Sequence, residues 1–232
     1  MTRYRTYAVL IAFMSLLSFR ASASIMLGNF DWNPPDASDS SWTADHTGWV
    51  NINYPTTGGN TGGWMSITFP NTVSTPPNEW SEVIHTPATN LFVGPWTTQM
   101  WLQMDFWSSN YVADAVQFRW KSTTNSSVWR FDLTPQLGGT QMWQTVYASL
   151  FDWNNWKYVG ATQSRYLSDL QSIDWIGVYI YRNTDNQQIY GIDNFQLWIP
   201  EPAELVMLAA AVLASGLSFR RRRRFSEAAC IR

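Results

Sequence analysis

Cysteine is almost missing from this chain: its 232 residues hold one, Cys230, in the extreme tail. No disulfide can form within the rest, so a folded domain must be held by its core or by a metal ion. Beyond the apolar segment near the C-terminus, Cys230 also cannot serve as an exported nucleophile. Histidine is nearly as scarce. His46 and His85 stand in unrelated polar contexts, at no metal-ligand spacing, and read as surface residues. No Gly-x-Ser-x-Gly elbow occurs. Charged residues make up 14% of the chain, and Glu79 and Glu82 are the only glutamates between residues 24 and 199. A glycosidase needs two carboxylates across a cleft. Glu79 and Glu82, three apart near a strand, fall on opposite faces of an extended chain and do not make that pair, although the aspartates leave other pairs open.

The net charge of −2 hides an uneven distribution. Residues 24–199 carry six basic residues (Arg119, Lys121, Arg130, Lys157, Arg165, Arg182) against fourteen acidic ones, a balance of −8. The two ends carry nine basic and three acidic residues, a balance of +6. An acidic centre repels a phosphate backbone, which argues against nucleic-acid binding. The basic ends belong to membrane targeting.

Met1–Ala23 reads as a secretory signal peptide. Arg3 and Arg5 precede the apolar run Ala8–Leu17, and Ala21-Ser22-Ala23 gives a small-x-small cleavage pattern. The mature chain then starts at Ser24, and residues 24–198 suit one domain with a sizeable core. At the other end, Pro200-Glu201-Pro202 leads into an apolar segment, Ala203–Phe219, and then into Arg220, Arg221, Arg222, Arg223 and Arg224. The 17 apolar-segment residues rise about 25 Å as a helix, a short transmembrane span. The arginines stay in the cytoplasm, with residues 225–232 as a cytoplasmic tail. In this order, Ile199–Arg224 resembles the PEP-CTERM sorting domain. The resemblance implies that an exosortase, a membrane cysteine protease, recognises Pro200, Glu201 and Pro202, and that the product goes to the cell envelope or an exopolysaccharide matrix. Glu204 and the trailing residues Phe225–Arg232 depart from the family pattern and bear on cleavage, not topology. The alternative is a membrane tail anchor that is never processed.

All fifteen tryptophans lie in the centre. Trp, Tyr, Phe, Thr and Val favour strands, and Asn, Ser, Gly and Pro fill the gaps. Period-two alternation predicts strands at Trp101–Trp107, Val116–Lys121, Val128–Leu133, Trp175–Arg182 and Ile189–Trp198. Others are expected near Ile25–Trp32, Trp49–Tyr54, Trp64–Phe69, Ser81–Ile84 and Trp143–Ala148, with a helical turn in Tyr166–Ile173. About ten short strands point to an all-β fold, a single β-sandwich of the jelly-roll kind. The Gly-rich stretch Thr57–Gly63 lacks the Gly-Lys-Ser/Thr of a phosphate loop and reads as a flexible turn.

Two motifs make the centre similar to the jelly rolls of carbohydrate-binding modules and galactose-binding-like domains. Gly28-Asn29-Phe30-Asp31 resembles the opening motif, and Ile189–Leu197, with Asp193, resembles the closing strand. The resemblance implies that Asp31 and Asp193 meet at a structural Ca²⁺ site, for which hard carboxylate oxygens are suited. The alternative is that both cap turns or accept backbone N–H bonds.

The non-aliphatic strand faces combine aromatic and polar residues. Trp101, Asp105, Trp107, Arg119, Arg130, Trp175 and Tyr179 are the candidate carbohydrate-binding residues, because sugars lay C–H faces on rings and pair hydroxyls with Asp, Gln and Arg. The competing reading places these rings in the core. The expected protein is therefore not an enzyme. It is an exported envelope or matrix protein, held in the membrane by its C-terminus and sorted by an exosortase, that binds polysaccharide. A structural matrix protein with protein contacts, or a glycoside hydrolase, is the alternative.

Overall fold

A computed structural model describes residues 42–60, 62–71, 80–87 and 96–198. These belong to one compact unit, Ser24–Trp198. The signal-peptide run, the strand expected at Ile25–Trp32, Asp31, Glu79 and the sorting segment Pro200–Arg224 lie outside the described residues. Among the described residues, no helix is long and apolar enough to cross a membrane.

The strands are β1 (Thr43–Ala44), β2 (Asn51–Asn53), β3 (Met65–Phe69), β4 (Ser81–Pro87), β5 (Trp101–Ser108), β6 (Ala115–Ser122), β7 (Val128–Asp132), β8 (Gln144–Ser149), β9 (Trp156–Lys157), β10 (Ile173–Tyr181) and β11 (Gln188–Trp198). They form two antiparallel sheets, in the orders β1-β4-β10-β6-β7-β9 and β2-β3-β11-β5-β8. The longest strands, β10 and β11, are central, and three of the four edges, β1, β2 and β9, are only two or three residues long, which leaves little open ladder for unwanted pairing there. The fourth edge, β8, is six residues long.

Alternation sets the core. The six-stranded sheet turns Val116, Phe118, Trp120, Ile176, Val178 and Ile180 inward, and the five-stranded sheet opposes them with Ile67, Leu102, Met104, Phe106, Ile192 and Leu197. Phe118 meets Phe195 across the gap edge-to-face, with centroids 5.6 Å apart. Each such side chain contributes about 1.5–3 kcal/mol by leaving water.

One irregularity matters to the site. The register of β11 against β5 shifts between Asp193 and Gln196, and Asn194 takes a positive φ of 48°. This is a β-bulge. It leaves Tyr190 and Ile192 inward before it and Phe195 and Leu197 inward after it, while Asp193 stays on the outer face beside Asp105.

The helix α1 (Gln163–Asp169) starts earlier than the turn expected at Tyr166–Ile173. Thr162 explains the start, since its hydroxyl accepts the Arg165 N–H at 3.2 Å as an N-cap. The helix inserts Tyr166 among Trp120, Trp129 and Trp156, where its hydroxyl donates to the Leu150 carbonyl at 2.9 Å. Burial raises this phenol well above the usual tyrosine range, with Asp152 pushing the same way.

Candidate functional site

The seven candidate sugar-binding residues do not share one surface. Trp101, Asp105 and Trp107 lie on β5 of the five-stranded sheet, whereas Arg119, Arg130, Trp175 and Tyr179 lie on β6, β7 and β10 of the six-stranded sheet. Alternation fixes which way a side chain points from its own sheet, but not which sheet it belongs to. The candidates therefore divide between two outer faces of the sandwich.

On the six-stranded sheet, β10 presents Trp175, Gly177, Tyr179 and Tyr181, with Arg119 opposite Gly177 and Gln117 opposite Tyr179. The Arg119 guanidinium carbon lies 3.8 Å from the centroid of the Tyr179 ring, a cation–π contact. Its Nε and Nη2 donate to Gln117 Oε1 at 3.1 and 2.9 Å. Burial lowers the Arg119 pKa from its ordinary value; the Tyr179 oxygen opposes this, Arg130 adds to it, and Asp45 opposes it. Trp175 packs against His85, ring centroids 5.0 Å apart, and His85 Nε2 lies 2.9 Å from Asp45 Oδ1. His85 is thus a partly covered support for the Trp175 ring rather than a free surface group. Gly177 is required here, because a Cβ would sit 2.6 Å from His85 Cβ and 2.4 Å from the Ile84 carbonyl oxygen. Beside this row is an open hollow of about 320 Å³ lined by Arg119, Ser126, Val128, Arg130, Tyr158 and Val159. Tyr158 and Val159 follow the two-residue β9, too short to show alternation, so sequence reasoning missed them. The aromatic Tyr158 beside Lys157 was the one signal available.

The outer face of the five-stranded sheet is organised differently. Trp64, Trp107 and Trp143 cluster edge-on or tilted, with centroid distances of 5.7–6.4 Å, over Gly191, whose Cβ would come within 2.8 Å of the Trp64 and Trp143 rings. The Trp64 and Trp143 indole N–H groups donate to the carbonyls of Thr57 (3.1 Å) and Gly58 (3.3 Å). They latch the Gly-rich segment over Asp105 and Asp193. Gly59 is part of the fit: its Cβ would lie 2.7 Å from Asp193 Oδ2. What reads as a flexible turn in sequence is a lid.

Under that lid Asp105 is 3% exposed. Its Oδ1 accepts from Thr145 Oγ1 at 2.6 Å, and its Oδ2 accepts from Asn60 Nδ2 (2.7 Å) and Asn194 Nδ2 (2.6 Å). These bonds use the carboxylate to hold the lid and the bulge, so it is not an open sugar ligand. Asp193, fully buried, accepts from the Asn60 N–H at 2.7 Å and the Asn194 N–H at 2.8 Å. Among the described residues, no group of three or more His, Cys, Asp or Glu side chains could hold a metal ion. Trp101 belongs to a separate aromatic strip on this face, 5.7 Å from Tyr147 and 6.2 Å from Trp198.

Of the two central glutamates, Glu82 has a fully buried side chain. Its oxygens accept from the Val83 N–H (2.8 Å) and the His46 N–H (3.2 Å) and meet His46 Nδ1 at 3.2 Å. The His46 ring in turn stacks on Trp49 at 3.9 Å. Glu82 anchors the 45–49 turn and is closed off from solvent.

No protein-family model matches the chain, and no curated protein matches it. Solved structures do. The chain is similar to an exo-β-agarase, with 15% identity and a TM-score of 0.52 over 76% of this chain and 25% of that one. It is similar to a family 11 carbohydrate-binding module from Clostridium thermocellum in complex with a β-1,3-1,4-mixed-linked tetrasaccharide (16% identity, 72% of this chain, 92% of that one, TM-score 0.47). It is also similar to a family 30 carbohydrate-binding module (12%, 66%, 78%, 0.46). The chain spans a quarter of the agarase, and at such identities the likeness concerns the fold: a sandwich of two antiparallel sheets.

Proposed function

We propose that this protein binds polysaccharide without catalysis, through the outer face of the six-stranded sheet of a jelly-roll domain. The observation that carries the reading is the joined set of Tyr179, Arg119 and Gln117 beside Trp175 and the open hollow. It combines ring faces for sugar C–H groups with oriented polar groups for hydroxyls, which is how small-ligand sites bind and orient. Affinity gels containing different polysaccharides test it. Retardation that is lost in a Trp175→Ala/Tyr179→Ala variant supports it, and uniform mobility in every gel counts against it. Reducing-sugar release from the same polymers would point to a hydrolase instead.

In the same reading the protein is exported, held by residues 203–219, and sorted by an exosortase at Pro200, Glu201 and Pro202 to the envelope or extracellular matrix. The sequence order of motif, apolar segment and arginines supports this. The mature masses from cells with and without an exosortase test it: identical masses that retain the arginines would leave a plain membrane anchor. A structural Ca²⁺ joining Asp31 and Asp193 also belongs to the reading, supported by the complete burial of the Asp193 carboxylate on the closing strand. The second reading, a matrix protein making protein contacts, draws on the Trp101, Tyr147 and Trp198 strip, where Tyr147 is 49% exposed.

A further inference from the structure

The charge on the proposed binding face is out of keeping with the rest of the domain. Residues 24–199 have a balance of −8, yet four of their six basic residues, Arg119, Lys121, Arg130 and Lys157, lie on the outer face of the six-stranded sheet. Three of them form a row. Arg119 is directly opposite Arg130, and Arg130 is directly opposite Lys157, on adjacent strands β6, β7 and β9. Like charges placed directly opposite each other across strands destabilise a sheet, so folding alone does not account for the row.

Nor do the row's protein partners neutralise it. Arg119 bonds to the Gln117 amide and covers the Tyr179 ring, and the Lys157 ammonium donates to the Asn154 carbonyl at 2.8 Å. Among the described residues, no ion pair is formed by Arg119, Arg130 or Lys157. The carboxylates around them make their short contacts with other groups. Asp132 accepts from Thr134 N–H and Oγ1 at 3.0 and 2.6 Å, Asp45 faces His85, Asp174 pairs with Lys121 at 2.9 Å, Asp152 accepts from Asn155, and Asp169 lies buried beside Arg165. The hollow itself is lined by two guanidiniums and no carboxylate.

We infer that the polysaccharide taken by this face is anionic, its oxyanions lying along the Arg119, Arg130 and Lys157 row while its sugar rings rest on Tyr158 and against the stacked Arg119–Tyr179 pair. The inference rests on the glycan-binding reading and specifies its substrate class. Adjacent strands are about 4.8 Å apart, so the three cations follow one another on the scale of single sugar rings. A chain crossing the strands brings successive acidic groups over successive cations. Arginine's planar fork suits either a uronate carboxylate or a sulfate ester. The overall acidity of the domain disfavours the denser charge of a nucleic acid.

The test uses the full chain in a non-ionic detergent and two matched pairs of polymers. Polygalacturonate is compared with its methyl-esterified form, and a sulfated galactan with agarose. Binding is expected to be on the order of tenfold tighter to at least one acidic member than to its neutral partner, and to weaken as salt is raised, because the contacts displace counterions and are screened. The first pair reads carboxylate and the second sulfate. Arg130→Gln and Lys157→Gln should each weaken binding to the acidic polymer several-fold and by more than they weaken binding to the neutral one, and Arg130→Lys should restore much of it. Equal, salt-insensitive binding within both pairs overturns the anionic inference and leaves the glycan reading standing. Failure to bind any of the four polymers overturns both. Equal or tighter binding to duplex DNA also overturns the inference.

Discussion

Asp169 gives the sharpest test of how this fold is held together. The last residue of α1 is fully buried. Its Oδ1 accepts from Asn125 Nδ2 at 2.5 Å and its Oδ2 from the Trp129 indole N–H at 2.9 Å, with Arg165 Nε at 3.7 Å. One carboxylate therefore ties the helix to the β6–β7 turn and to a core tryptophan. Burial by itself raises its pKa, but the bonds from Asn125, Trp129, Ser127 and Ser122 outweigh it and hold the carboxyl below its ordinary value. In Asp169→Ala, two bonds to a charged acceptor worth about 1.5–3 kcal/mol each are lost, and the Trp129 N–H is stranded in a buried site. Because such losses overlap, the expected destabilisation is about 3–5 kcal/mol, as for other broken buried charge networks. At about 2–4 °C per kcal/mol for a domain of this size, the thermal midpoint should fall by roughly 6–20 °C. Asp169→Asn keeps one acceptor for the indole and should cost about half as much. The pH dependence has a definite sign. A carboxyl lowered in the folded state stabilises the protein above its unfolded pKa of about 3.9 and ceases to do so as pH falls through the folded value. The gap between wild type and Asp169→Asn should therefore close in acid. Urea unfolding at neutral and acidic pH measures both effects. A variant Asp169→Ala within about 1 kcal/mol of wild type at neutral pH would refute the stranded-donor reasoning.

Three further outcomes follow from the two faces. Gly191→Ala should destabilise by about 1–3 kcal/mol through overpacking against Trp64 and Trp143, read in a denaturant titration, and the strained lid should show as faster amide exchange at Asn60. Trp101→Ala, on the opposite sheet from Tyr179, should leave polysaccharide retardation unchanged, and its loss would move the binding face. If Ca²⁺ joins Asp31 to Asp193, a calcium chelator should lower the thermal midpoint, since an ion at 100 times its Kd stabilises by about 2.7 kcal/mol; an unchanged midpoint removes the ion.

The inward sets were legible in sequence where strands are long. Leu102, Met104 and Phe106, and Val116, Phe118 and Trp120, alternate over eight-residue strands and are fully buried. Pairing across the sandwich was not legible, because period two carries no information about which strand lies alongside. That is why Trp101 and Tyr179 fall in one candidate set by sequence and lie in different sheets. The fate of Asp105 was hidden for another reason. Its covering groups, Asn60 and Asn194, are 45 and 89 residues away, and the lid that brings one of them depends on indole bonds from Trp64 and Trp143. The short strands β1 and β9 gave no periodic signal at all.

The bulge at Asn194 makes β11 a strand with a phase shift built into it. Pairing the same residues without the bulge would carry the earlier alternation through to the end of the strand, turning Phe195 and Leu197 toward solvent and putting polar Gln196 among the aliphatic side chains. Deleting Asn194 itself, by contrast, removes the extra residue and leaves Phe195 and Leu197 inward. Substitution is a far smaller disturbance: glycine accepts the positive φ more readily than asparagine and gives up only the amide that bonds Asp105. This segment should thus tolerate exchange or loss of the bulge residue and resist a further insertion, which would turn Phe195 and Leu197 over. Alignments of related chains should show residue exchange or a one-residue gap at this position but no insertion.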